Sequence, residues 1–139
     1  MDTAKAIAKD LSISTKHSIE VCNFIRGKNL QEGKDILKKV IEKERAVPFR
    51  RFNRDLGHKK GIGPGRYPIN VCKDIIKVLD LAEANAQYKG LDIKNLIIKS
   101  IKADKASTPW HSGRQRRRKM KRTHIEVIVE EKEAKTDKK

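Results

Sequence analysis

Residues 113–131 read GRQRRRKMKRTHIEVIVEE, and two contrasting patterns meet within this stretch. Positions 113–122 hold seven Lys or Arg residues and no acidic residue. From 123 to 131, apolar and polar residues alternate, which predicts a half-buried β-strand. Basic runs are usually solvated tails, but this one leads directly into a strand. The run is therefore expected to be anchored in a folded domain.

A second strand is predicted over residues 94–106, again from alternating apolar and polar positions. Its inward-facing residues are predicted to be Ile97, Ile101 and Ala103. The turn-forming sequence STPWHSG at 107–113 separates this strand from the basic run. Antiparallel pairing of the two strands would make residues 94–131 a long projecting hairpin with its tip at about 105–122. Because like charges repel in this tip, we expect it to become ordered on RNA binding.

Three helices and one edge strand are predicted upstream of the hairpin. The edge strand falls within residues 1–13, and the helices are expected at about 15–26, from Asn29 to before Pro48, and from Pro68 to Gly90. Ser14 or Thr15 can cap the first helix, and Asn29 with Glu32 resembles a capping box. Gly27 fits the position after a helix end where a positive φ is needed.

The positive charge is confined to two parts of the chain. The 139 residues, enough for one ordinary domain, carry a net charge of +16. Residues 49–66 contain six Lys or Arg and one Asp, and together with 113–122 they hold +12 of that charge, leaving +4 for the other 111 residues. Residues 49–66 are rich in glycine and are predicted to form a basic loop. This pattern indicates a polyanionic partner such as nucleic acid.

Several other classes of function lack their sequence signals. No apolar run approaches the ~18 residues of a membrane span, and no signal-peptide pattern is present, which favours a cytosolic protein. Cys22 and Cys72 have no metal-ligand spacing and are predicted to be small buried hydrophobic residues. The Gly61-Ile62-Gly63 sequence follows no strand, so it does not indicate a dinucleotide site. Because no catalytic constellation appears either, we expect no enzyme activity, metal or cofactor.

The basic segments are rich in arginine, whose guanidinium groups bind phosphate bidentately and stack on bases. Phe49 and Phe52 either stack on bases or anchor the basic loop in the core, and Trp110 is expected to contact RNA or pack within the hairpin. Loops and hairpin tips fit folded RNA better than a DNA groove. The residues expected to contact RNA are Lys16, Arg50, Arg51, Arg54, His58, Lys59, Lys60, Arg66, Trp110, His111, Arg114, Arg116, Arg117, Arg118, Lys119, Lys121 and Arg122.

Five short stretches, in this order, resemble one protein family. They are VPFRRFN at 47–53, GRYP at 65–68, AEANA at 82–86, KGLD at 89–92 and HIEVI at 124–128. Any one of them alone is a weak match, but together they cover nearly the whole chain and are highly specific. The chain resembles the archaeal branch of the universal large-subunit ribosomal protein family numbered twenty-two in bacteria and seventeen in eukaryotes.

The resemblance implies an α+β fold in which three helices pack on a small three-stranded antiparallel sheet, with a long projecting β-hairpin. It implies a single domain over residues 1–131, followed by a charged tail at 132–139. The expected function is that of a structural constituent of the cytoplasmic large ribosomal subunit. Such a protein would bind large-subunit rRNA, contact neighbouring ribosomal proteins and assist assembly. Its hairpin tip, about 105–122, would line the exit tunnel beside the nascent peptide.

The hairpin departs from the family pattern in one respect. The arm leading to Gly113 is the short STPWHS, and the basic residues cluster after Gly113 instead of before it. This difference predicts a shorter tip or a changed strand register. The alternative to a ribosomal role is a free-standing binding module, such as a nucleoid or RNA-chaperone protein.

Overall fold

The computed structural model describes residues 2–132 and has the predicted α+β architecture. The main sheet is antiparallel with the strand order β1–β6–β5, formed by β1 (Thr3–Leu11), β5 (Leu96–Lys105) and β6 (Thr123–Glu131). The helices are α1 (Thr15–Ile25), α2 (Leu30–Ile41) and α3 (Ile69–Tyr88). A second small sheet has the order β2–β4–β3, from β2 (Val47–Pro48), β3 (His58–Lys59) and β4 (Gly63–Arg66). Most of the predicted charged tail, 133–139, lies outside the described residues.

The central strand β6 confirms the alternation that predicted it. Its inward residues Ile125, Val127 and Val129 are fully buried, and the residues between them remain partly exposed. Helix α3 packs on β1 and β6, α1 packs on β5, and α2 packs against α3. A Cβ atom at Gly33 of α2 would lie only 3.1 Å from Cδ1 of Ile98, so a glycine there permits close approach to the sheet.

The predicted inward face of β5 is wrong at one residue. Ile97 is only half-buried, whereas its neighbours Leu96 and Ile98 are fully buried. The pairing register with β6 shifts between Ile98 and Ser100, which makes Lys99 the extra residue of a bulge. An inserted residue reverses which positions face inward, so a strict two-residue period cannot describe both halves of the strand.

The helix starts follow the predictions, but α2 ends at Ile41, well before the predicted limit at Pro48, and Lys43 then adopts a φ of +63°. The Ser14 side chain accepts a hydrogen bond from the backbone N–H of His17 at 3.5 Å, and Gly27 has a φ of +76°. The Asn29 side chain accepts from the N–H of Gln31 at 3.0 Å and so caps α2. Glu32 does not complete the capping box, since its carboxylate lies 3.5 Å from Nζ of Lys28.

Residues 49–66, predicted to be a loop, contain most of the small sheet. Lys59 pairs with Gly63 around a turn in which Gly61 has a φ of +80°. The strands are two to four residues long and include glycine and proline, so no periodic signal marks them. Phe49 is 1% exposed, which makes it an anchor of the segment in the protein interior and removes it as a base-stacking partner.

Both edges of the main sheet are covered within the chain. On the β1 side, Asn85 and Lys89 of the α3 end donate hydrogen bonds to backbone carbonyls of β1, each at 2.8 Å. On the β5 side, the N–H of Gly27 donates to the carbonyl of Ile98 at 2.9 Å, and the Arg26 guanidinium donates to that of Ile101 at 2.8 Å. These contacts disfavour pairing of either edge with a strand of another chain.

Candidate nucleic-acid interface

A buried carboxylate fixes the start of the basic loop. Glu20 of α1 is 3% exposed. It accepts hydrogen bonds from the backbone N–H groups of Arg50 (3.2 Å), Arg51 (2.8 Å) and Phe52 (2.8 Å). The Nε of Arg54 donates to the carbonyl of Arg50 at 2.7 Å. The backbone here is therefore held against the body while the arginine side chains remain exposed to solvent.

Glu20 was not among the residues predicted from the sequence to belong to the site. It stands four residues after Lys16 on the same helix, a spacing that favours an ordinary surface ion pair. Its inward orientation depends on backbone groups some thirty positions further along the chain, and no sequence pattern reports such a contact. Lys16 itself is exposed at the start of α1, in agreement with its predicted accessibility.

The second half of the basic loop presents its charges from the small sheet. His58, Lys59, Lys60 and Arg66 are all exposed. The Nζ of Lys59 lies 5.6 Å from the ring centroid of Tyr67, a cation–π distance. The Arg51 guanidinium lies 5.0 Å from the Phe52 ring in the same way. These two half-buried aromatic rings are thus already paired with cations of the chain.

Hydrogen bonds to the start of α1 fix the point where the hairpin leaves the body. Thr123, the first residue of β6, is fully buried, and its hydroxyl donates to the carbonyl of Ile13 at 2.8 Å. The hydroxyl of Thr15 lies 2.8 Å from that of Thr123. Arg122, the residue before β6, donates from Nη1 to the Ser12 hydroxyl at 3.1 Å and is only half-exposed. Arg122 therefore serves partly as a structural residue.

Beyond this point the hairpin has little regular pairing. Residues 114–122 do not continue β6 outward as a regular strand, since β6 begins at Thr123. The N–H of Ala106 donates to the carbonyl of Arg122, and the N–H of Met120 donates to that of Pro109. Between these two hydrogen bonds the first arm advances by three residues and the second arm by two. The register is thus shifted within the tip. A 3₁₀ turn at Gly113–Gln115 closes it.

Trp110 and Lys119 form the single β-bridge found in the described tip. The Nζ of Lys119 lies 4.7 Å from the Trp110 ring centroid, and Trp110 is 59% exposed. The N–H of His111 donates to the carbonyl of Arg118 at 2.8 Å. Trp110 therefore packs locally within the hairpin and keeps surface available to a partner. The exposed basic residues of the tip are Arg114, Arg116, Arg117, Arg118, Lys119 and Lys121.

Carboxylates neutralise lysines of the body but not the basic segments. Lys5 and Lys102 both contact Glu126, at 3.0 and 3.3 Å, and their hydrogen bonds and charges lower the pKa of that carboxyl. Lys99 contacts Glu130 at 2.6 Å. Among residues 2–132, none of the ion pairs includes a Lys or Arg from 49–66 or 113–122. The charge of both segments is free to meet external anions.

The C-terminal ends of the two basic segments, 49–66 and 113–122, both lie near His17 on α1. Burial lowers the pKa of His17, and the nearby charges of Arg66 and Lys121 lower it further. The imidazole also packs edge-on against the Phe49 ring, with 5.3 Å between centroids. A cleft of about 430 Å³ at this junction is lined by His17, Tyr67 and Lys121, among others. The structure thus places a charge from each basic segment, Arg66 and Lys121, near the same histidine.

Other kinds of site have no support within residues 2–132. No group of three His, Cys, Asp or Glu side chains there is placed to hold a metal ion. No helix in the described part of the chain is long and apolar enough to cross a membrane. Cys22 and Cys72 are buried as predicted, and burial raises the pKa of each thiol to about 12, so both remain neutral.

The α+β body with its basic hairpin and the motifs along the sequence correspond to one known group of proteins. The family model described as ribosomal protein L22p/L17e matches residues 6–130. The chain belongs to this family. Large-subunit proteins of this family are structural and not catalytic, so the chain is a structural component of the cytoplasmic large ribosomal subunit.

Individual members of the L22p/L17e family agree closely with the chain. The large ribosomal subunit protein uL22 of Methanopyrus kandleri is 45% identical over 138 residues, covering 93% of this chain and 87% of the relative. The uL22 protein of Methanocaldococcus jannaschii is 42% identical, with 93% and 88% covered. That of Nanoarchaeum equitans is 44% identical, with 94% and 79% covered. All three are archaeal, in agreement with the predicted branch.

Proposed function

We propose that the chain binds large-subunit rRNA through its basic loop and its basic hairpin. The observation that carries this proposal is that the positive charges of the two segments are not neutralised by carboxylates among the described residues. Apart from the half-exposed Arg122, the Lys and Arg side chains of both segments are exposed, and none has a carboxylate partner among the described residues. Glu20 and Thr123 nevertheless anchor the backbones of the two segments to the body. Phosphates would neutralise these charges, and the fixed backbones reduce the entropy lost on binding.

We propose in addition that the hairpin lines the nascent-peptide exit tunnel. Residues 107–121 contain no buried position, so the tip is a thin extension without a core of its own. A slender cationic arm suits a narrow passage walled by RNA. The tip would contact the nascent peptide, and the body would contact neighbouring ribosomal proteins. Residues 1–131 would act as one domain that assists subunit assembly.

Co-sedimentation tests the proposed rRNA binding against the free-standing alternative. The tagged protein should remain with large subunits through a high-salt wash, in near-stoichiometric amount. An RNA chaperone or nucleoid protein would appear mainly in the soluble or nucleoid fraction. Recovery of the chain there, with subunits lacking it, would exclude the proposed role.

The salt dependence of RNA binding tests the phosphate contacts separately. If about six basic side chains neutralise phosphates, log K should fall with log salt with a slope of roughly −4 to −5. Isothermal titration or filter binding over a range of KCl concentrations gives this slope. A response that is nearly independent of salt would contradict binding through phosphates.

Photo-crosslinking tests the tunnel role. A nascent peptide carrying a photoreactive residue, moved along the tunnel by changing its length, should crosslink to the hairpin over a limited window of lengths. The adduct should map to residues 105–122. Crosslinks that map only to the body, or to no part of this chain, would contradict the tunnel proposal and leave rRNA binding unaffected.

A further inference from the structure

A second surface of the body combines an apolar lining with clustered positive charge. A cleft of about 440 Å³ lies between the second half of α1 and the small sheet. Its apolar lining comes from Phe24, Pro48 and Ile62. Ile62, in the turn before β4, is 39% exposed and is one of the few large hydrophobic residues at the surface. The volume lies within the range of ~300–1,000 Å³ that holds small ligands.

The rim of this cleft is strongly cationic. Lys28, Arg45, Arg50 and Arg51 all line it. Its lining carboxylate is Glu20, whose oxygens already accept three backbone N–H groups from the basic loop. The ligand that fits must therefore have a flat or apolar part and a negatively charged part.

Arg45 is positioned to complete a stacking site. Its guanidinium lies over the Phe24 ring, 5.2 Å from the centroid, so a planar cation is already stacked on an aromatic ring. Nucleobases stack on both of these groups, and single-stranded RNA is commonly recognised in this way. Arg50 and Arg51, on a backbone fixed by Glu20, supply charge for the attached phosphate.

We propose that this cleft holds one unstacked nucleotide of rRNA, with its base against Phe24, Ile62 and the Arg45 guanidinium and its phosphate beside Arg50 and Arg51. The proposal rests on the proposed rRNA binding and adds a base-dependent contact to it. An apolar side chain of a neighbouring protein would fill the lining but would leave the cationic rim without counter-charge. Charge complementarity therefore favours the nucleotide.

Two probes of equal charge separate base stacking from phosphate attraction. The full chain is titrated with a short single-stranded oligoadenylate and with an abasic ribose–phosphate chain of the same length, both followed by fluorescence anisotropy. All variants carry Trp110→Leu, because the exposed indole could stack on bases by itself. Arg45→Ala, at an exposed position, should weaken oligoadenylate binding about tenfold, as expected when one base no longer stacks. The abasic chain should show only the small effect of removing one charge.

Matched variants make the comparison decisive. Lys73→Ala removes an exposed positive charge on α3 that is not part of the cleft. It should weaken the binding of both probes equally. Ile62→Ala provides an independent change, since it removes an exposed part of the apolar lining without altering any charge. It should reduce oligoadenylate binding without affecting the abasic chain. Thermal melting confirms that each variant remains folded.

Equal losses on both probes for Arg45→Ala would overturn the nucleotide proposal. Ultraviolet crosslinking of assembled large subunits gives a second readout, in which the peptide containing Phe24 or Arg45 should carry a nucleotide adduct. An adduct with another protein at that peptide would equally overturn it. Failure of the unaltered chain to bind either probe would instead contradict the proposed rRNA binding itself.

Discussion

Lys34 shows how a single buried cation links two helices of the body. Its side chain is 7% exposed on α2, and its Nζ contacts Asp80 at 2.6 Å and also Glu83, both on α3. Gln31 donates a further hydrogen bond to Glu83 at 2.6 Å. Burial alone would lower the pKa of Lys34, but the hydrogen bonds and charges of the two carboxylates raise it above its ordinary value.

Replacing Lys34 by Met should destabilise the fold at neutral pH. The free energy of unfolding should fall by about 2–3 kcal/mol, below the roughly 3–5 kcal/mol for breaking a fully buried pair, because Asp80 is 59% exposed and can be hydrated. Urea denaturation measures the change. Lys38→Met is the control, since Lys38 is 62% exposed and lies 3.7 Å from Asp35. Equal losses from the two variants would contradict the assigned role.

The contact of Lys34 with Asp80 and Glu83 also predicts how the stability of the fold depends on pH. Because the folded pKa of Lys34 is raised, its contribution is complete below the ordinary lysine pKa of ~10.4 and is lost as the pH rises through the folded value. The stability difference between the unaltered chain and Lys34→Met should therefore be constant near neutrality and shrink under strongly alkaline conditions. A difference that vanishes on acidification from neutrality to mildly acidic pH would contradict this origin.

Glu20 should control the order of the basic loop. Glu20→Gln replaces a carboxylate that accepts three backbone N–H groups with an amide, which is a weaker acceptor. Since hydrogen bonds to charged groups contribute more than neutral ones, we expect a loss of about 2 kcal/mol. Amide hydrogen exchange should accelerate at Arg50, Arg51 and Phe52. Glu44→Gln, at an exposed position, should change neither quantity, and an unchanged exchange rate in Glu20→Gln would show that the loop is held by other contacts.

At the scale of elements, the hairpin tip should affect binding far more than folding. Replacing Arg116, Arg117 and Arg118 together by Ala removes exposed side chains from a segment without buried residues. The thermal midpoint should change little. The slope of log K for RNA against log salt should become shallower by roughly 2–3, at about 0.7–0.9 for each phosphate that is no longer neutralised. A large drop in the thermal midpoint would instead make the run a structural element.

The elements that the sequence predicted well are those whose residues repeat regularly. The predicted alternation of β6 was correct because every second residue packs against the helices, and the starts of α1 and α2 were marked by local capping groups. The bulge at Lys99 and the small sheet were missed because both depend on pairing with distant residues. A strand of two residues has no period to detect.

The candidate site was predictable in its composition but not in its geometry. Every basic residue predicted to contact RNA, except the half-buried Arg122, is exposed. Local composition is sufficient for this, because the charges of a basic run have to remain hydrated. The contact of Glu20 with the loop and the approach of both Arg66 and Lys121 to His17 arise only from the tertiary fold.

For the whole molecule, charge is divided between a balanced body and two unbalanced segments. The body pairs Lys5, Lys34, Lys99 and Lys102 with carboxylates, whereas the Lys and Arg residues of 49–66 and 113–122 have no such pair among the described residues. Without a polyanion, like charges repel within each segment, and Arg66 and Lys121 both act on His17 between the segments. We therefore expect this repulsion to destabilise the free protein in the regions that rRNA is proposed to neutralise.

Added salt should consequently stabilise the free protein and weaken its binding to RNA. Raising the KCl concentration shortens the Debye length from ~30 Å at 0.01 M to ~3 Å at 1 M and screens the repulsion. A gain of about 1 kcal/mol would raise the thermal midpoint of the free chain by roughly 4 °C, while the affinity for RNA falls steeply. Circular dichroism melts of Arg66→Gln, which relieves part of the repulsion, should show a smaller rise, and Lys73→Gln on α3 should behave like the unaltered chain. A midpoint that falls with added salt would mean that the ion pairs of the body outweigh the repulsion between the basic segments.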